Sequence, residues 1–297
     1  MEWKGILPAL TTKFTADDEL DLPLFEKNLT AQMEAGVHGI ILGGTLGENS
    51  VITMQEKEIL VKFAVEKTAD RIPVILNIAE GSTKEAIRQA AMARDWGARG
   101  LMLLPPMRYK PDHRETVCYF TSIANSTPLP IMIYNNPVDY KTEVTLDMFQ
   151  ELSVCKNIQA IKESTRDVTN VTRMINRFGD RYKILCGVDT LAYEELCLGA
   201  VGWVAGLVCA FPKETVAIYN LVNEGKYKEA LAIYRWFMPL LELDIHPKLV
   251  QYIKLAETKT GIGSEFVRPP RLLLQGEERN IISKIIDDGI RTRPSLQ

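Results

Sequence analysis

The chain has 297 residues, 46% hydrophobic and 25% charged, with 35 Lys and Arg against 38 Asp and Glu. That balance excludes disordered, collagenous and fibrous classes, and it argues against a nucleic-acid partner, which needs a concentrated positive face. The length admits two ordinary domains or one large α/β barrel, and either buries a core without staples.

No uncharged apolar stretch of about 18 residues occurs, so no membrane-spanning helix is expected. Met1-Glu-Trp-Lys-Gly5 lacks the basic end and apolar run of a signal peptide, and the expected compartment is the cytoplasm. The cysteines Cys118, Cys155, Cys186, Cys197 and Cys209 are odd in number and form no CxxC pair, so reduced thiols are the default. Cys186 and Cys209 sit in apolar runs and read as small core residues. His38, His113 and His246 are far apart and in no ligand spacing, so no metal site is expected. His38, just before a buried run, reads as a structural histidine rather than a base. A Ser-His-Asp hydrolase would also need a G-x-S-x-G elbow, which the chain lacks.

Eight short apolar runs recur along the chain. They are Ile6–Leu10, Gly39–Leu42, Pro73–Asn77, Gly100–Leu104, Pro130–Tyr134, Ile158–Lys162, Ile184–Gly187 and Trp203–Gly206. Brief, nearly continuous apolar runs are the pattern of parallel strands covered on both faces. Amphipathic segments separate them. Leu24–Met33 has helical spacing and stops near Gly36. Thr53-Met-Gln-Glu56 and Ser82-Thr-Lys-Glu85 are capping-box patterns that open the next two helices, the second ending at Gly97. Thr145, Asp167–Phe178 and Thr190–Leu198 supply later helices. Strand then helix, eight times, specifies a (β/α)₈ TIM barrel more directly than a doubly wound sheet, whose first strand would lead into a phosphate-binding glycine loop. After Gly206 only helices follow, at 213–224, 227–241, 248–258 and 278–288, with turns expected at Gly225, Pro239 and Pro247. The expected organisation is a barrel over 1–224 and a C-terminal helical extension over 225–297.

In such a barrel the active site lies at the C-terminal ends of the strands. The polar residues closing the runs are Thr11, Thr12, the loop Gly43-Gly-Thr-Leu-Gly-Glu48, Asn77, Tyr134-Asn-Asn-Pro137, Lys162-Glu-Ser164 and Gly187-Val-Asp189. Lys162 ends an otherwise apolar strand. Desolvation favours the neutral amine of a buried lysine, which attacks carbonyl or imine carbons. A salt bridge to Glu163, or a lysine reaching solvent, is equally consistent with the spacing. Tyr134 closes the preceding strand, either as a proton shuttle for imine formation or as a rim residue. The glycine-rich loop offers backbone N–H groups and the Thr45 hydroxyl as a carboxylate nest, or is simply a tight turn.

These pieces, in this order, resemble the dihydrodipicolinate synthase / N-acetylneuraminate lyase family over nearly the whole chain. The matches are Gly44-Thr-Leu-Gly-Glu48, Tyr134-Asn-Asn-Pro137, Ile161-Lys-Glu163 and Gly199-Ala-Val-Gly202. The resemblance implies catalysis by Lys162 as Schiff-base lysine, Tyr134 and Thr45, a homotetramer, a small 2-oxo or cyclic-imine acid as substrate, and no cofactor. It further implies substrate contacts from Gly44, Leu46, Asn136, Gly187 and Asp189. The chain departs from the family pattern in three places. Leu46 replaces a second hydroxyl in the loop. Arg108, or its neighbour Tyr109, stands where a tyrosine from an adjacent subunit joins the relay. Asp139 replaces an arginine that binds the aldehyde substrate of the synthase. These departures weigh against the synthase activity, and Tyr134-Asn-Asn-Pro137, Gly187-Val-Asp189 and Ile262-Gly-Ser-Glu-Phe-Val-Arg-Pro-Pro-Arg271 look most like a branch that degrades hydroxyproline by 1-pyrroline-4-hydroxy-2-carboxylate deamination. The alternatives are a 2-keto-3-deoxy sugar acid dehydratase, a pyruvate-dependent aldolase or lyase, and a non-catalytic keto-acid sensor.

Overall fold

The computed structural model describes residues 1–296. Strands and helices alternate through the first 223 residues. β1 (Gly5–Ile6), α1 (Leu22–Ala35), β2 (Ile40–Leu42), α2 (Met54–Thr68), β3 (Val74–Ile78) and α3 (Thr83–Asp95) come first. β4 (Gly100–Leu103), α4 (His113–Ser126), β5 (Ile131–Asn135), a one-turn α5 (Pro137–Tyr140) and α6 (Leu146–Leu152) follow. β6 (Ile158–Glu163), α7 (Thr169–Phe178), β7 (Lys183–Cys186), α8 (Ala192–Cys197), β8 (Gly202–Trp203) and α9 (Pro212–Asn223) complete the alternation. Three further helices follow: α10 (Tyr227–Leu241), α11 (Leu249–Thr260) and α12 (Gly276–Arg291).

Every strand pair is parallel, in the spatial order β1-β8-β7-β6-β5-β4-β3-β2. A parallel bridge between Ala9 and Ile41 joins the two ends and closes the sheet into the expected TIM barrel. β1 and β8 are each two residues long, shorter than their apolar runs. Their ladder nevertheless continues, through Leu7 N–H to Trp203 O at 2.9 Å and Ala205 N–H to Leu7 O at 3.2 Å.

Local chemistry sets the helix starts. Thr53 and Glu56 make both bonds of a capping box. At Ser82 only half the box forms, because the Glu85 carboxylate turns to Arg88 at 2.6 Å. The capping box of α4, Asp112 with Glu115, and α4 itself are not among the elements read from the sequence. Pro239 is a correction. It sits inside α10 rather than at a turn, and Tyr234, Phe237, Leu240 and Leu241 bury the face that keeps the helix intact past the lost N–H. A tight 3₁₀ turn, Glu242–Ile245, then leads to α11.

The division at residue 225 is proposed on element order, since one apolar core runs from Trp3 through Ile286 and includes both parts. Buried ion pairs also tie them together. Lys13 meets Glu257 at 2.8 Å and Lys254 meets Glu48 at 2.5 Å, with all four side chains fully buried. Among the described residues no helix is long and apolar enough to cross a membrane.

On the outer side of the barrel, Glu195 of α8 is buried near Cys186 and Glu163. Burial, then the Glu163 charge, pushes its carboxyl up to about 8. The folded protein therefore holds a proton that the unfolded chain releases near 4.5, and stability falls as pH rises from there to about 8. Thermal unfolding of Glu195→Gln against the parent should show a difference that moves in the variant's favour across that window. A difference constant from about pH 5 to 9 would mean that Glu195 does not titrate there.

Candidate active site

The strand ends build one cavity of about 490 Å³. In strands, successive side chains point to opposite faces, so the register of β5 against β6 decides which groups meet. Tyr134 pairs with Lys162 and both line the cavity, whereas Asn135 and Glu163, the next pair, point outward. Asn135 is held by Val144 backbone atoms, and Glu163 accepts from Thr165 N–H and Asn170. The salt bridge between Lys162 and Glu163 that the sequence leaves open is therefore absent.

Lys162 is 7% exposed. Its Nζ lies 3.9 Å from the centroid of the Tyr134 ring and joins no salt bridge among the described residues. Burial lowers the amine below the ordinary lysine range, opposed by Tyr140, Asp244 and Asp189. An amine lowered this way is a nucleophile nearer neutral pH. Tyr134 is pushed well above the usual phenol range by burial, so it keeps its proton, and its hydroxyl accepts from Asn136 Nδ2 at 3.0 Å.

Gly187 follows β7 directly, beside the lysine, and lines the cavity. A Cβ there would lie 2.1 Å from Ser164 Oγ and 2.6 Å from Lys162 Cγ. The position is glycine because the Ser164 hydroxyl and the lysine stem together fill the space a side chain would need.

The loop after β2 brings Gly44, Thr45 and Leu46 to the same cavity. Gly43 O accepts from Asn77 at 2.8 Å and Gly47 O accepts from the Thr12 hydroxyl at 2.7 Å, which fixes the loop from both sides. Glu48, at φ 54°, accepts from Lys254 and from Arg268 N–H. Thr45 Oγ is 2.6 Å from the Tyr140 hydroxyl. The Thr45 and Leu46 N–H groups are engaged by no protein acceptor among the described residues, so they remain available to a carboxylate.

Asn136 lines the cavity, but its amide is committed to Tyr134 and to Asp139, at 2.7 Å from Oδ2. Asp189 is a correction. It lies fully buried beneath the cavity, and its carboxylate accepts from Trp203 Nε1, Gly206 N–H and Leu207 N–H at 2.7–3.2 Å. Those donors occupy the oxygens that substrate contact would require. Thr11 is also structural, donating to Glu257 at 2.7 Å. Arg108 packs over Gly81, and Tyr109 is 56% exposed; neither lines this cavity. His38 accepts from Ile6 N–H at 3.2 Å and packs edge-on to Tyr219, a structural histidine.

Among the cavity residues to which the sequence assigns no role are Tyr140, Arg166 and Asp244. Tyr140 and Arg166 line the rim, with Arg166 3.9 Å from Asp139. Asp244, from the 3₁₀ turn after α10, enters the cavity so close to Gly206 that a Cβ there would be 2.1 Å from its Oδ1. Burial and the Asp189 charge push the Asp244 carboxyl well up, and Lys162 opposes this. It forms no ion pair among the described residues. No motif marks Asp244, because it reaches the site from a helical segment about 80 residues beyond the lysine. Among the described residues no group of His, Cys, Asp and Glu is arranged to hold a metal.

Comparison with known proteins identifies the family. The model of the dihydrodipicolinate synthetase family matches residues 2–288. The chain is 32% identical over 275 residues to the 4-hydroxy-tetrahydrodipicolinate synthase of Exiguobacterium sibiricum, with 92% of each chain covered. It is 28% identical to that of Aquifex aeolicus, over 96% of this chain and 97% of the relative. The crystal structure of the Aquifex aeolicus dihydrodipicolinate synthase superimposes with a TM-score of 0.91, covering 96% of this chain and 98% of that one at 28% identity. A dihydrodipicolinate synthase structure from Bacillus anthracis gives 0.93 at 27% identity, over 99% and 100%. The chain belongs to the dihydrodipicolinate synthetase family and is an enzyme of that family of lyases.

The contact at Gly187 gives a prediction. Gly187→Ala should displace the lysine stem and slow imine formation with pyruvate by about 10²-fold, the scale of a misplacement near 1 Å. Hydride trapping of the imine at wild-type rate in this variant would show that the cavity has room to spare.

Proposed function

We propose that this enzyme forms a Schiff base through Lys162 and dehydrates and deaminates 1-pyrroline-4-hydroxy-2-carboxylate to 2,5-dioxopentanoate and ammonia, a step of hydroxyproline breakdown. The neutral Lys162 amine adds to the ring C=N carbon. The ring nitrogen leaves as an amine, so the lysine imine forms without release of water. Loss of a C3 proton gives an enamine, which expels the C4 hydroxyl as water. Tautomerisation then places a C=N bond at the terminal nitrogen. Hydrolysis of that bond and of the lysine imine consumes two waters, one net of the elimination. Tyr134 and Thr45 carry protons, and the free N–H groups of Thr45 and Leu46 receive the single carboxylate.

The observation that carries this reading is Asp244. Expulsion of a hydroxyl needs a proton on the leaving oxygen, and a cavity carboxyl held above its ordinary range is suited to give one. Asp139, where the synthase pattern has an arginine, adds a second carboxylate to the same wall. Arg166 favours a second reading, condensation of pyruvate with aspartate semialdehyde, because it places a guanidinium at the rim; Asp139, however, stands 3.9 Å from it. A homotetramer belongs to the proposal, and sedimentation at working concentration checks it.

Product analysis separates the readings. Ammonia and aldehyde should appear in equal amounts from the hydroxypyrroline. The analogue lacking the 4-hydroxyl should form the lysine imine and release no ammonia. Asp244→Asn should slow ammonia release on the order of 10²-fold while leaving imine formation with pyruvate intact. Condensation faster than deamination, or equal ammonia from the deoxy analogue, would overturn the assignment.

A further inference from the structure

The Tyr-Asn-Asn-Pro segment does more than end β5. Asn136 caps α5 by accepting from Asp139 N–H at 3.1 Å, and Pro137 occupies the first helical position. The turn closes at Lys141, in the left-handed region at φ 62°. This single turn folds the chain back over the strand end and brings Tyr140 to the cavity beside Tyr134. The two rings meet edge to face, with centroids 5.5 Å apart and an interplanar angle of 79°. The Tyr140 hydroxyl then reaches Thr45 Oγ at 2.6 Å. Lys162, Tyr134, Tyr140 and Thr45 thus form one contiguous group from one chain, all lining the same cavity.

We propose that Tyr140 is the outer phenol of the proton path to the lysine, supplied within the subunit rather than by a neighbour. The stretch Pro106–Pro111 offers Arg108 and Tyr109, neither of which lines this chain's cavity, whereas the Tyr140 hydroxyl already lies within hydrogen-bond reach of Thr45. A threonine hydroxyl donates and accepts at once, so it passes a proton without holding charge. When the carbinolamine at Lys162 needs a proton, it comes from the phenols beside it, and Tyr140 takes its replacement from the Thr45 hydroxyl. Thr45, the more exposed of the two, recovers a proton from solvent, and the path returns to its starting state. Burial pushes the Tyr140 phenol well above its ordinary range, so it stays protonated between turnovers.

The inference rests on Lys162 as the imine-forming amine and not on the identity of the substrate. Its test therefore uses pyruvate with a hydride trap as well as ammonia release. Tyr140→Phe should slow both on the order of 10²-fold, with the melting temperature unchanged and KM within about threefold. Thr45→Val should lose a similar factor, and the double variant no more than either, because members of one relay act as a unit. Tyr109→Phe should stay within about twofold of the parent. Mixing Tyr140→Phe with Lys162→Ala subunits should give no activity beyond the sum of the two alone. Wild-type trapping by Tyr140→Phe, additive losses in the double variant, loss in Tyr109→Phe, or recovery on mixing would each overturn the proposal. If the trap reports the expected losses while no ammonia forms from the hydroxypyrroline, the relay stands and the substrate assignment fails.

Discussion

A lysine amine held out of water at the end of a buried strand is the constraint on which the rest of this site depends. A lysine is rarely buried without a partner, and its charged form is costly there. Lys162 has an aromatic face at 3.9 Å and no salt bridge among the described residues, so burial shifts the amine toward its neutral form. Gly187 leaves room for its stem, and the alternation of β5 and β6 sets Tyr134 beside it. Asp189, below, is saturated by N–H donors, which keeps that carboxylate from seizing the amine.

The C-terminal helices are part of this arrangement. Lys254 of α11 reaches Glu48 in the loop that carries Thr45, and Arg268 binds the same carboxylate through its N–H. Lys13, Thr11 and Glu257 make a second buried cluster between the first strand and α11. Such pairs add little net stability over apolar packing, but losing one partner strands a buried charge at about 3–5 kcal/mol. Their effect is positional: the loop that presents free N–H groups cannot shift without unpairing Glu48. The same extension delivers Asp244, the cavity carboxyl that burial holds above its ordinary range.

The fold was legible because parallel strands buried on both faces leave short apolar runs at regular intervals, and each of the eight runs overlaps a strand. Lys162 and Tyr134 were legible because a polar residue closing an apolar run must face the strand ends. Asp189 shows the limit of that argument. Its position at the end of β7 is the same kind of signal, yet local N–H donors decide its role, and their approach depends on how β8 folds over it. Tyr140 was written in the sequence but depended on a single helical turn too short for periodicity to reveal. Asp244 and Arg166 were illegible for a different reason: their relation to the lysine is set by packing between distant segments, which no local pattern encodes. α4 has its capping-box residues, Asp112 and Glu115, explicit in the sequence, directly after a proline-flanked stretch.

The central claim is that the desolvated amine of Lys162 is the nucleophile, and mass spectrometry after borohydride reduction tests it most directly. With pyruvate present, the account predicts one irreversible adduct per chain, located on the peptide carrying Lys162, and loss of activity in step with labelling. An unmodified Lys162, or inactivation that tracks an adduct on another lysine, would contradict it.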